Sequence, residues 1–79
     1  MILRFNLIET DLSIFDDEGV DLPDLDAGRR KAIVAARDIM AEDLKHGVLD
    51  LNRRIDVTDA SGKVVLNVLF SDVVAVASA

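Results

Sequence analysis

Cysteine, tryptophan and tyrosine are absent from this chain of 79 residues, which has a single proline, a single histidine and three phenylalanines. Without cysteine, neither a disulfide nor a thiolate metal site can brace the fold, and one histidine is too few for structural zinc. Scarce aromatics leave few rings on which nucleic-acid bases could stack. Apolar runs such as Val73–Ala77 are far too short to span a bilayer. The opening Met1-Ile2-Leu3-Arg4 leads directly into alternating residues rather than a basic start with an apolar run, so no signal peptide is expected and a cytoplasmic location follows.

What is present is a globular balance: 51% of residues are hydrophobic and 30% are charged, with a net charge of −6. One domain is the most that this length allows, and its core supplies about 3–5 kcal/mol. The negative charge disfavours nucleic acid, whose binding rests on phosphate neutralisation, and favours a basic protein partner.

The residues Ile2–Ile8, ILRFNLI, alternate, with Leu3, Phe5 and Leu7 on one face and Ile2, Arg4, Asn6 and Ile8 on the other. Period two predicts a strand, and Leu12–Phe15 resumes it, so residues 2–15 read as an antiparallel hairpin. DDEG then reads as a turn with Gly19 at positive φ. From Asp24 the period becomes 3.6, predicting a helix over 24–46. Leu25, Ala32, Ile33, Ala36, Ile39, Met40 and Leu44 share one side of it, with Arg29 and Asp43 at or near that side's centre. Asp24 suits the N-cap, Asp26 the first turn, Lys45 and His46 the last turn, and Gly47 the C′ position. Residues 54–70 form a second hairpin around DASG, with Ile55, Val57, Val64, Leu66, Val68 and Phe70 inward and Asn67 outward. Residues 71–79 are an apolar tail. The fold class is α+β, in the order ββαββ: one four-stranded antiparallel sheet with one helix packed on one face. A right-handed crossover is compatible with the strand order 2-1-3-4. Phe5, Ala36, Met40, Ile55, Val57, Leu66, Val68 and Phe70 are the expected core.

The strand carrying Phe5, the DDEG turn, LPDLDA opening the helix, AARDIMAED within it, Gly47 after it and IDVTDASGKVVLNVLFSDVV at the end together resemble a family of short, uncharacterised bacterial proteins. These are roughly 80-residue proteins of soil and plant-associated bacteria, often duplicated within a genome, and the likeness covers nearly the whole chain. The family pattern often has Ala where Gly28 stands here and Pro where Leu69 stands. The resemblance implies the fold and no activity, cofactor or catalytic residue. A looser resemblance, in the hairpin-then-helix layout and the PDL before the helix, is to antitoxins of the HicB type.

Six of the fourteen residues from Phe15 to Gly28 are carboxylates: Asp16, Asp17, Glu18, Asp21, Asp24 and Asp26. They do not follow calcium-loop spacing, and turn and cap preferences account for them, so no metal ligand is assigned. His46 has no nucleophile or orienting partner at a recognisable spacing, so no catalytic residue is assigned and no cofactor is expected. Asp38, Glu42 and Asp43, with Arg37 and Lys45 nearby, read as a solvated, salt-bridged face. Gly28–Lys31, GRRK, is the one basic cluster; it reads as charge pairing with the acidic turn, with Arg29 laying its methylenes on apolar surface.

The remaining feature is apolar surface. Ile2, Ile8, Val65 and Leu69 are expected on the sheet face away from the helix, and Val73, Val74 and Val76 follow with nothing evident to bury them. A contiguous patch of this kind marks an interface, the alternative being that the tail folds back and covers that face within one chain. The expectation is a small acidic, non-catalytic interaction module that forms a homodimer, not an enzyme. The alternatives are an antitoxin-like or regulatory protein that binds a basic partner, and a small ligand-binding protein or enzyme, for which one helix on four strands leaves little room.

Overall fold

The computed structural model describes residues 1–77. The elements are β1 (Ile2–Ile8), β2 (Ser13–Ile14), β3 (Val20–Asp21), α1 (Leu25–Lys45), β4 (Arg54–Thr58) and β5 (Val64–Leu69), followed by a 3-10 turn over Phe70–Asp72. All pairings are antiparallel. The main order is β2-β1-β4-β5, and β3 also pairs with β1, so the sheet has five strands rather than four. The extra strand arises because the segment after the first turn returns to β1. β2 pairs with Leu7 and Ile8, and β3 pairs with Ile2 and Leu3.

The helix has the expected ends. Asp24 is the N-cap and its side chain accepts from the Ala27 N–H at 2.8 Å. At the other end Gly47 has φ +78 and donates to the Leu44 carbonyl, while Val48 donates to that of Asp43. These two bonds make a Schellman motif, which closes a helix on a residue in the left-handed region, where glycine meets no Cβ penalty. Asp24→Ala should cost about 0.5–2 kcal/mol through the orphaned first-turn N–H. Urea denaturation of the two proteins side by side checks it, and equal midpoints would refute the capping role.

The core between helix and sheet is built from Leu3, Ala32, Ala36, Met40, Ile55, Val57, Val68, Phe70 and Val73, all buried. Phe5 and Leu66 are half-buried against it rather than central. The buried helix line is Gly28, Ala32, Ala36 and Met40, one small residue per turn until the last. Small side chains let α1 approach the sheet closely. At Gly28 a Cβ would stand 2.7 Å from a δ-methyl of Leu3, so the buried leucine occupies the space that an alanine would need. Leu25 and Leu44 are exposed, and so is Arg29.

A β-bulge alters the parity of β5. Val57 pairs with Leu66, but Thr58 pairs with Val64, so Val65 is the extra residue. A one-residue insertion reverses the alternation beyond it. Val64, expected inward, is exposed, and Val65, expected outward, is half-buried against the core.

Candidate interaction surface

The acidic segment is a structural device. Between β2 and β3 the chain leaves β1 for Phe15–Gly19, and Asp16 fills the gap. Its carboxylate accepts from the N–H groups of Phe5, Glu18 and Gly19, each at 3.2 Å, and its own N–H donates to Oδ1 of Asn6 at 2.9 Å. The side chain thus replaces a missing strand carbonyl. Gly19 is required twice over: its φ is +76, and a Cβ would lie 3.0 Å from both the Leu3 carbonyl oxygen and a methyl of Ile2. Among the described residues no three histidine or carboxylate side chains gather in a way that could hold a metal ion.

These bonds, the Gly19 N–H foremost, hold the Asp16 carboxyl below its ordinary value, against the opposing effect of burial. A carboxylate more acidic in the folded than in the unfolded chain stabilises the fold above the unfolded value. That contribution is lost as pH falls through the lower folded value. Asp16→Asn keeps the shape but not the charge. It should cost about 1–2 kcal/mol at neutral pH and flatten the acid limb of the stability curve. Urea titrations at neutral pH and at about pH 3, below the usual aspartate range, check both; an unchanged acid limb would refute the assignment.

The outer sheet face is less uniform than its sequence. Asn6, Asp56 and Asn67 lie side by side across β1, β4 and β5, with Asn67 donating to Asp56 at 2.7 Å and Arg54 donating to the same oxygen at 2.9 Å. Ile8 and Leu69 lie on either side of Arg54 and do not meet across the sheet. Ile2 is exposed near one end of β1, Ile8 is half-buried, and Leu69 is 43% exposed. The valines divide differently from expectation. Val73 is buried in the core and Val74 packs against it, while Val76 is exposed. Arg37 donates from Nε to the Val73 carbonyl at 2.9 Å, which ties this segment to the helix. With Met40, Ala41, Leu44, Leu49 and Val74, Arg37 lines an open apolar cleft of about 350 Å³. The cleft is more room than one helix on a sheet was expected to leave, but Arg37 is its one charged group.

The strongest electrostatic feature was not anticipated. Arg53 is only 6% exposed and lies among three carboxylates: Asp43 at 2.7 Å, Glu9 at 3.7 Å and Asp50 at 3.8 Å. Its guanidinium also stacks over Phe70, 4.8 Å from the ring centroid. The signal was present, since alternation puts Arg53 on the inward face with Ile55 and Val57. Asp43 therefore belongs to a buried ion pair and not to a solvated helix face. Glu42 keeps the solvated role, with Lys45 at 3.1 Å and His46 at 3.9 Å. The GRRK cluster makes no ion pair with the acidic turn among the described residues; Lys31 instead lies over Phe5, 5.9 Å from its centroid.

The β2 edge of the sheet also carries exposed apolar side chains. Leu12, Ile14 and Phe15 are 56%, 52% and 66% exposed, on and beside the two-residue edge strand β2.

One helix on a five-stranded antiparallel sheet, with polar groups engaged in turns, caps, an outer-face network and one buried arginine, defines a small α+β domain whose open features are a sheet face, a sheet edge and an apolar cleft. The chain belongs to the family described as Domain of unknown function (DUF6894), which matches residues 3–71. No curated protein and no solved structure matches it significantly. Among the described residues no helix is long and apolar enough to cross a membrane.

Proposed function

We propose that this domain is a non-catalytic interaction module that pairs with a second copy through the outer face of its sheet. The observation that carries it is the path of the C-terminal segment. Val73 and Val74 turn to the helix side, so that segment does not cover the outer face, where Ile2, Val64 and Leu69 remain exposed. The polar row between them favours the reading, because Asp56 is already satisfied by Asn67 and Arg54 and can be covered without stranding a charge. A two-fold contact uses each residue twice. Each side chain is already part-buried, so covering it gains less than the roughly 1.5–3 kcal/mol of full burial. Association costs at least about 4 kcal/mol in lost freedom, so the dimer is expected to dissociate on dilution.

Val64→Lys with Leu69→Lys places like charges across this face and leaves the core alone. Light scattering with size exclusion should show the parent as a concentration-dependent dimer and the double variant as a folded monomer. A parent that stays monomeric at millimolar concentration would refute the reading. The acid around β2 favours a second reading, an antitoxin-like or regulatory protein that masks a basic partner, for which the layout likeness to HicB-type antitoxins is further support. In either case the resemblance to short bacterial proteins supports a bacterial cytoplasmic setting.

A further inference from the structure

We infer that the free edge of β2 takes up an extended segment of a different, basic protein as an added strand, a surface separate from the outer face. The backbone there is turned the right way. Phe5 donates toward Asp16, and Glu9 donates to the Leu12 carbonyl, so the odd-numbered residues of β1 direct their hydrogen bonds to this side. Leu7 pairs with Ile14 in that pattern, which leaves the N–H and C=O groups of Ser13 and Phe15 pointing away from β1. An unpaired edge of this kind is a template for another strand.

The side chains fit the same purpose. Ile14 lies opposite Leu7 on the helix side of the sheet, but α1 packs over β4 and β5 and leaves this margin open. Lys31 over Phe5 shows which flank of α1 looks toward β1. Helical spacing puts Val34 on that flank, and it is 56% exposed. An added strand would find Leu12 and Ile14 beside it and Val34 above. The site is also preformed, because Asp16 and Gly19 hold the segment after β2 against β1, and a preformed site loses less freedom on binding.

Charge decides the occupant. Asp11 precedes the strand and Asp17 and Glu18 follow it, and none of the three forms an ion pair among the described residues. If two copies paired antiparallel with Ile14 at the two-fold, Asp11 of each would face Asp17 of the other, and like charges directly opposite are destabilising. The acid that opposes a second copy in that register attracts lysine and arginine, so the occupant is an extended segment in which apolar and basic residues alternate.

The test is an NMR titration of the full chain with a synthetic heptapeptide alternating lysine and valine, and with its glutamate counterpart. The lysine peptide should shift the Ser13 and Phe15 amides most, in a saturable manner that weakens with salt, and the glutamate peptide should bind about tenfold more weakly or not at all. Ser13→Pro deletes an N–H that points to solvent and leaves the β1 pairing intact. It should weaken binding about tenfold, the equivalent of one hydrogen bond, with melting and self-association unchanged. Ile14→Lys provides the same readout if the proline disturbs the strand. The Val64→Lys, Leu69→Lys protein should bind the peptide like the parent, so failure of the dimer and failure of the edge site are told apart. Shifts centred on α1 or on the outer face, equal affinity for the glutamate peptide, unchanged affinity in both β2 variants, or no saturable shift at millimolar peptide would each overturn the inference.

Discussion

Phe70→Ala should leave this domain largely unfolded at room temperature. Phe70 is fully buried, sits where β5 ends, and is covered on one side by the Arg53 guanidinium. Truncating a buried phenylalanine removes its transfer free energy and leaves a cavity, at a cost of roughly 3–5 kcal/mol. That equals about the whole stability expected of a domain this small. The backbone adds a second consequence, because the Phe70 N–H donates to the Arg53 carbonyl at 3.0 Å, joining the end of β5 to the start of β4. Loosening the ring frees both. Far-UV circular dichroism with thermal melting reads the result. Phe70→Leu keeps much of the volume and should cost about 1–2 kcal/mol, giving a measurable melt if the alanine protein is too unstable to study. An alanine variant that melts like the parent would mean the ring is not a core group.

The Arg53 cluster yields a counterintuitive order of effects. Its three carboxylates are each about a third or more exposed, whereas the arginine is nearly fully buried. Removing the arginine lets the acids rehydrate; removing an acid strands the buried cation. Arg53→Met keeps the stem over Phe70 and removes the charge, so it should cost only about 1 kcal/mol, since apolar replacement of a buried ion is often close to neutral. Asp43→Ala takes away the 2.7 Å partner and leaves the guanidinium with two looser ion pairs at 3.7 and 3.8 Å and its hydrogen bonds to the Asp50 carbonyl. It should cost about 2–3 kcal/mol, less than the full price of a broken buried pair because Glu9 and Asp50 remain. Urea unfolding of the two variants compares them directly. If Arg53→Met proves the more damaging, attraction outweighs desolvation at this site.

Both predictions depend on one place, where the last turn of α1, the loop holding Asp50, the end of β1 and the 3-10 turn meet around Arg53. In a chain without disulfides this cluster ties the stretch from Asp43 to Arg53 to the end of β1 and to the 3-10 turn, both far from it in sequence. It also explains why Val73 lies in the core: the 3-10 turn after Phe70 directs the chain toward α1, where Arg37 holds the Val73 carbonyl. The outer sheet face is uncovered by the same turn.

Local chemistry was legible from the residues alone. Asp24 and Gly47 act within three or four residues of themselves, so the helix limits follow from side-chain oxygens, orphan N–H groups and positive φ, as does the turn at Gly19, whereas the hold of Asp16 and Gly19 on β1 does not. The alternation of Ile55 with Val57 and of Val68 with Phe70 likewise assigns an inward face, since strand periodicity is a local property. The sheet's fifth strand was not legible, because β3 is two residues long and exists only where β1 offers a partner. The exchange of Val64 and Val65 came from a bulge set by pairing with Thr58, which periodicity within one strand does not contain. The row of Asn6, Asp56 and Asn67, which divides an outer face that looked apolar, depends on the register of three strands. The burial of Arg53 by acids at positions 9, 43 and 50 depends on the closing of the whole chain. Properties carried by neighbours along the sequence were determined by the sequence, and properties carried by neighbours in space were decided only when the strands took their register and the helix came down on them.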